Sequence, residues 1–499
     1  MNQRKAGALL SYISMFLGYG ISIIYTPYML RKLGMSEYGL YTLVASTINY
    51  LSLLSLGLGA SYMRIYSKYS IKKENKKIEE LNGMYLTIFS LISVITVIIG
   101  VYLSSKAGIL FGSKLTSDEI EIARNLMLIL TLNIALTFPK SVFTTYIQAN
   151  ERFIFFKLLQ MFSTVMTPIL VVVVLLIGYK SKGLVLITLI MQILTFLGSV
   201  VYCKKNINIK IRFNNFDFKL MKEIFIFSSF IFLNMIIDQI NWNIDKIILG
   251  RFWGTSAVGI YGIASQLNIY YLSISTTISS VFIPKVNKLV AEGHNNKELT
   301  EIFVKIGRIQ FSIMMLILSG LYIFGKSFIK MWAGVEYVSA YYILLIIITP
   351  VTIPLIQNIG NEIQRAKNKH KFKSKMYLVI SIVNLSMSIP LAKHYGGIGA
   401  AIGTGLAFFI GSGIIMNIYY HKYLQLDIIY FWKEMSLLFS SLIVPLLFGV
   451  YVYIKIDLDI LSNFIIFGLI YTAIYSVFIY IFGLNDYEKS LIIKLIKRK

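Results

Sequence analysis

The chain has 499 residues, of which 57% are hydrophobic and 14% charged, with a net charge of +25. Soluble domains carry about 25% charged residues; this balance, with a mean hydropathy of +0.71, excludes a soluble globular fold and makes lipid the solvent of most side chains. The single cysteine, Cys203, excludes an internal disulfide and a cysteine-based metal site.

Apolar stretches of the roughly 20 residues needed to cross a bilayer recur from end to end. They predict an all-α polytopic membrane protein of about fourteen transmembrane helices, over roughly 8–30, 40–62, 81–103, 122–147, 154–177, 183–203, 223–249, 257–283, 304–325, 340–360, 376–393, 398–420, 434–454 and 464–483. The start, MNQRK before an apolar run, looks like a leader, but the run is too long and no small-residue cleavage site follows, so it reads as a retained first helix. With the N-terminus inside, the cytoplasmic links and the span edges beside them hold 33 Lys and Arg and the external ones 11, while Arg124, Lys140, Lys246 and Arg308 fall in or beside spans. Such a bias sets orientation, which places both termini in the cytoplasm. The densest basic runs, 64–77, 204–222, 365–375 and 494–499, fall on that same side. They read as topology signals that also touch anionic headgroups, and not as a nucleic-acid footprint. No link exceeds 20 residues, which excludes an attached ATPase or an external catalytic module.

Two spans carry polar stripes. In the fourth, Asn133, Thr137, Lys140, Thr144 and Gln148 share a face. In the seventh, Asn234, Asp238, Asn241 and Asp245 are spaced 4, 3 and 4, within about 60° of one another on a helix. An acidic residue at a helix centre costs roughly 2.5–3.5 kcal/mol to insert and usually faces water or serves function. One cationic and one anionic stripe imply a hydrated cavity. Its substrate-binding candidates are Lys140, Asn133, Thr137, Asn234, Asn241 and Arg251; Asp238 and Asp245 are candidates for binding a coupling ion. An internal Asp–Lys pair is the competing reading, and Asp245, Lys246 and Arg251 lie toward the outer boundary, where charge is cheap. Arg31, Lys32, Arg64 and Arg308 flank helix ends and suit headgroup anchoring as readily as ligand binding. Asp118, Glu119 and Glu121 read as the solvated face of an external link.

Residues 320–327, GLYIFGKS, formally match a phosphate-binding loop. The inner positions are bulky and apolar at the outer end of a span, whereas the loop needs a strand before it and exposed backbone N–H groups, so the match is a coincidence. The four histidines, His294, His370, His394 and His421, are scattered and form no metal set. No nucleophile–base arrangement can be argued, so the chain reads as a non-enzyme without cofactor. All eight prolines lie in or at the ends of apolar spans, where they kink helices.

The sequence also repeats itself. Gly34, Ser36, Gly39 and Tyr41 match Gly254, Ser256, Gly259 and Tyr261 at an offset of 220; Gln148, Tyr179, Gly183 and Thr188 match Gln364, Tyr395, Gly399 and Thr404 at an offset of 216. Six crossings return the chain to its starting side, so the two six-helix halves are parallel repeats, a common transporter plan. The expected division is 1–222 and 223–422 as the two bundles and 423–499 as two additional helices with a basic tail.

The stretches PYMLRKLGMSEYGLYTL (27–43), QANERF (148–153), NIDKIILGRFWGTSAVGIYGIA (243–264), KMWAGVEYVSAYY (330–342) and HYGGIGAAIGT (394–404) resemble the polysaccharide flippases, the O-antigen and capsule repeat-unit exporters of the superfamily that also holds the multidrug/toxin (MATE) exporters and the lipid II flippases. The resemblance implies a MATE-like fold of two bundles with alternating access, in the bacterial cytoplasmic (inner) membrane. It implies a polyprenyl-pyrophosphate-linked glycan as substrate, membrane lipid around it, and other polysaccharide-assembly proteins as partners. It implies cationic residues in the cavity, for which Lys140 is the candidate here, and, with no ATP site, an ion gradient or membrane potential as the energy source. A cation-coupled multidrug exporter on the same fold is the alternative.

Overall fold

Glycines and prolines decide where the long apolar stretches bend. The computed structural model describes residues 3–213, 217–367, 369, 371–486 and 488–490; the basic tail 494–499 and His370 lie outside the described residues. Every regular element among them is helical. In chain order these are α1 (Gln3–Asn49), α2 (Leu58–Ile71), α3 (Asn75–Ser105), α4 (Ala107–Phe111), α5 (Ser117–Ala149), α6 (Phe153–Leu176), α7 (Lys180–Asn206), α8 (Phe218–Trp253), α9 (Thr255–Ala291), α10 (Asn296–Trp332), α11 (Ser339–Ile356), α12 (Asn358–Ala366), α13 (Lys371–Phe408), α14 (Met416–Lys422), α15 (Ile428–Ser440), α16 (Ile443–Lys455) and α17 (Leu461–Phe478). Short 3-10 turns and two π-helical segments, Phe409–Ile415 and Ile479–Gly483, complete them. Packing divides the chain into two units, Met1–Gly259 and Ile260–Lys499, so α8, which opens the second sequence repeat, packs within the first unit.

Among the described residues, 10 helical runs are long and apolar enough to cross a membrane, and 11 if the pair α15 and α16, bent by 50°, is one span. Two of them, Leu9–Ile71 with 63 residues and Lys371–Lys422 with 52, could each cross twice at about 1.5 Å per residue. Their kinks are at Gly34 and Gly396. Fourteen crossings would require splitting both runs and counting α9, which has 37 residues but is rich in Ser, Thr, Asn and Gln. The expected second span, 40–62, is interrupted: a 3-10 turn over Tyr50–Ser55 leads into Leu56 and Gly57, both left-handed (φ 51° and 70°).

The repeat has a backbone counterpart. Gly34 and Gly254, which open the matched segments, take nearly the same conformation, φ 76°, ψ 167° and φ 81°, ψ −172°. Both values lie where only glycine is at ease. The residue after each matched tyrosine, Lys180 and Gly396, is also left-handed, at φ 34° and 58°. Gly39 and Gly259, equivalents in the repeat, lie against each other where α1 meets the start of α9: a Cβ on Gly39 would land on the Thr255 carbonyl, and one on Gly259 would lie 2.8 Å from the Met35 oxygen. Backbone on both sides cannot give way. We expect Gly39→Val to cost at least the roughly 1–3 kcal/mol of ordinary overpacking, seen as a sharp loss of monodisperse protein after membrane extraction.

Glu119 departs from the expected solvated face. It closes a capping box with Thr116 at the start of α5, and its Oε1 accepts from Ser36 (2.7 Å) and Thr255 (2.8 Å). At the opposite end, the irregular segment 207–213 is fastened to α3. The Arg212 N–H donates to the Glu79 carbonyl (3.0 Å), Asn82 donates to the Lys210 carbonyl (3.0 Å), and the Arg212 guanidinium pairs with Glu79 at 2.7 Å. Part of the basic run 204–222 is thus a strap, not free chain. Below it sits a core of Tyr62, Tyr66, Tyr85, Phe89, Phe138 and Tyr146, in which Cys203 is fully buried and packs as a small apolar side chain.

In the second unit α10 is the central helix. It runs unbroken through 320–327, so the phosphate-loop match has no loop. Arg308, read as a helix-end charge, is instead 4% exposed and holds two carboxylates: Nε and Nη2 donate to Glu488 (2.8 and 2.9 Å), Nη1 to Glu434 (2.8 Å). Tyr471 donates to Ser319 and Tyr475 to the Ser312 carbonyl, each at 2.7 Å. These bonds tie the C-terminal helices to α10. Gln310 donates to Ser275 and Ser279 (3.1 and 2.7 Å), and Asn358, just past the break between α11 and α12, donates to Ser275 (2.8 Å).

The turn between α9 and α10 holds His294 between Glu298 and Glu292. Its hydrogen bond to Glu298, with Glu292 adding to the effect, raises its pKa above the usual histidine value. A raised folded pKa stabilises the turn fully below the unfolded value of about 6.5 and loses that support as pH rises through the folded value. The protection of the 292–298 amides, measured relative to their intrinsic base-catalysed exchange, should therefore fall between neutral and alkaline pH, and His294→Gln should abolish that fall.

Candidate functional site: a polar cavity with one lysine

The first unit contains a cavity of about 530 Å³. Its walls are α1 (Ser14), α5 (Thr137, Lys140, Ser141, Thr144, Gln148), α6 (Phe156, Leu159, Gln160, Ser163, Thr164) and α7 (Gln192, Thr195). Hydroxyls, amides and one ammonium dominate, inside helices whose other faces are apolar. The helical period explains how α5 supplies its share. Thr137, Lys140, Ser141, Thr144 and Gln148 recur every three or four residues, on one face of the helix. On the same helix, Phe138, Val142 and Phe143 are buried in the aromatic core.

Lys140 is the centre of the site. Its Nζ donates to Gln192 Oε1 at 2.9 Å and to Thr195 Oγ1 at 2.6 Å. Thr195, 4% exposed, passes its own proton to the Met191 carbonyl (2.7 Å). Two of the ammonium's three protons are thereby committed, and among the described residues no carboxylate lies within ion-pair distance of it. A half-buried cation satisfied only by neutral acceptors is an incomplete arrangement. Removing a charge from water is costly, and the remaining proton and uncompensated field favour an anion. The hydroxyl and amide lining offers further donors to the same anion or to a polyol next to it.

The structure brings some candidate residues together and separates others. Lys140 and Thr137 line the cavity with their stripe partners Thr144 and Gln148; Asn133, a turn away, does not. The α8 residues are not part of this cavity. Asn234 and Asp238 are exposed on α8, Asn241 and Asp245 are buried (1% and 2% exposed), and Arg251 is exposed in its last turn, beside Gly112. Lys246 is buried at 9% exposure, not spread over the outer boundary. Both amide atoms of Asn241 are buried without a hydrogen-bond partner among the described residues, and Asp245 lies one turn further along the same face. Sequence reasoning missed the α6 and α7 walls. Their signal was present: Gln160, Ser163 and Thr164, like Gln192 and Thr195, are spaced to share a face.

The sequence profile of a family described as "Polysaccharide biosynthesis protein" matches residues 5–290. The chain is similar to the "Uncharacterized membrane protein EpsK" of Bacillus subtilis, 21% identical over 96% of this chain and 95% of that one. It also resembles the "Capsular polysaccharide biosynthesis protein CapF" of Staphylococcus aureus, 27% identical over 44% of this chain and 55% of that one. Among solved structures, a lipid II flippase MurJ in an inward closed conformation superposes with a TM-score of 0.76 at 19% identity, covering 95% of this chain and 98% of that one. This likeness shows a shared fold.

Proposed function

Because the chain belongs to the polysaccharide biosynthesis protein family, we propose that it is a flippase that moves a polyprenyl-pyrophosphate-linked oligosaccharide across the cytoplasmic membrane for capsule, exopolysaccharide or O-antigen synthesis. Lys140 carries the reading: one cation, with no carboxylate partner among the described residues, in a cavity of neutral hydrogen-bonding groups. An anionic link between a sugar and a lipid is the kind of headgroup that such a cavity accepts. Thr137 and the amides of Gln148, Gln160 and Gln192 would receive the adjoining oxygens. The name of the Staphylococcus aureus relative points to capsular polysaccharide, and the flippase fold supports movement rather than bond making.

A cation-coupled drug exporter fits less well. A cationic drug would meet an ammonium, no carboxylate and a single aromatic ring, Phe156. In the proposed cycle the two six-helix halves, 1–222 and 223–422, alternate in access. Asp245 with Asn241 on α8, or the exposed Asp238, takes up the coupling ion, whose differential affinity for the two states drives the change. Asn133, Asn234 and Arg251 are kept as contacts along the path outside the Lys140 cavity. The termini and the basic links lie in the cytoplasm.

Deleting the gene should abolish surface polysaccharide and leave lipid-linked repeat units accumulating on the inner leaflet. Normal surface polysaccharide, combined with new sensitivity to cationic drugs, would replace this reading with the exporter.

A further inference from the structure

The second unit contains a cavity of a different kind. It measures about 500 Å³ and is lined by Asn296, Lys297, Thr300 and Glu301 from the start of α10 and by Gln425, Asp427 and Tyr430 from the link before α15 and its first turn. Every lining residue bears a polar group. In contrast, a groove between α11 and α13 is lined by Ile346, Pro350, Ile353, Ile402, Leu406 and Phe409 among others, and the Lys140 cavity has a cation and no carboxylate.

The walls are buttoned together. Asn296 donates through Nδ2 to Gln425 Oε1 (2.5 Å) and accepts at Oδ1 from Lys367 Nζ (2.7 Å). The Asp427 N–H donates to Thr300 Oγ1 (3.1 Å), and Thr300 donates to the Asn296 carbonyl (2.8 Å). Asp427 Oδ1 caps α15 by accepting from the Tyr430 N–H (2.9 Å). These bonds fix the link 423–427 on the first turns of α10. They leave the Gln425 Nε2, the second Asp427 oxygen, the Glu301 carboxylate, the Lys297 ammonium and the Tyr430 hydroxyl with no partner among the described residues, all on exposed side chains around one cavity.

The chemistry of that set narrows the ligand. The two carboxylates, Glu301 and Asp427, outnumber the Lys297 ammonium and so disfavour a phosphate or pyrophosphate, and a wall in which every side chain carries a polar group offers no continuous apolar surface to a lipid tail. Planar carboxylate and amide groups, each able to meet two neighbouring hydroxyls, with a tyrosine ring at the rim, suit a neutral sugar. The volume lies within the range of small-ligand sites, about 300–1,000 Å³. We propose that this cavity is a second binding site, specific for an uncharged sugar ring of the transported glycan and separate from the Lys140 cavity. The proposal rests on the flippase reading for the source of the sugar, and the basic links place the cavity on the cytoplasmic face, where it would receive glycan before transport.

The test uses the full-length chain in lipid nanodiscs with N-acetylglucosamine as the neutral probe and inorganic pyrophosphate as the charged one, read by saturation-transfer NMR, and export in cells as the second readout. The Glu301→Ala/Tyr430→Ala pair removes side chains that make no bond within the fold. It should weaken N-acetylglucosamine binding by about tenfold or more, leave pyrophosphate binding unchanged, and lower surface polysaccharide. Lys140→Ala should show the opposite binding pattern. No sugar binding by the parent chain, or unaltered sugar binding in the double variant, would overturn the site, even if Lys140→Ala still lost pyrophosphate and the flippase reading stood. Lost sugar binding with normal export would overturn the assignment to the transported glycan.

Discussion

Replacing Arg308 with alanine will destabilise the second unit by about 3–5 kcal/mol, the range for breaking a buried ion pair by removing one partner. The guanidinium is 4% exposed and serves two carboxylates and the Gly483 carbonyl (2.7 Å). Without it, Glu488, 3% exposed, keeps its charge in a medium that cannot solvate it. Glu488→Gln should cost less, since it removes the charge along with the pairing, and Glu434→Gln least, because that side chain is 20% exposed. The measurement is thermal unfolding of the purified chain in one detergent, with limited proteolysis between α14 and α17 to locate the loosening. Equal stability of Arg308→Ala and the parent would mean that the C-terminal helices are held by apolar packing and the two tyrosine bonds alone.

Replacing Lys140 with alanine will abolish export while the protein still reaches the membrane. The ammonium's charge-assisted hydrogen bonds to an anion are worth about 1.5–3 kcal/mol, so pyrophosphate affinity should fall roughly 10- to 100-fold. Folding should suffer little, because its two partners, Gln192 and Thr195, face a cavity where water can take its place. Lys140→Arg keeps the charge and should keep part of the affinity. Thr195→Val removes one acceptor, leaves the charge, and should lower affinity by less than Lys140→Ala; Thr195→Ser should restore it. Binding of pyrophosphate to Lys140→Ala at parental affinity would remove this lysine from the transport path.

Much of the architecture was legible in the residues. The apolar runs and the recurring glycines specify helices and a repeat, and Gly34 and Gly254 prove to share one unusual backbone conformation. The α5 stripe was readable as well, because hydroxyls three and four apart on an apolar helix can share only one face. The stripe on α8 was equally regular, yet its residues do not meet Lys140 in this cavity. Periodicity fixes which residues share a face and not which neighbour that face meets. Arg308 and Glu119 show the same limit. Their partners lie 180 and 126 residues away for Arg308, and 83 and 136 residues away for Glu119. No local pattern can announce such pairs.

Composition and spacing therefore determined by themselves that this chain is a many-helix membrane protein, with Lys140 as an unusual cation in its fourth span. Insertion energetics act residue by residue along the chain, so this much is written in one dimension. Only the tertiary structure decided that Lys140 is walled by α1, α6 and α7 and met by no carboxylate among the described residues, and that Arg308 is buried against Glu434 and Glu488. Both outcomes depend on which helix faces pack together, and within a membrane, where every outward face is apolar, that choice is set by small residues and polar contacts far apart in the sequence.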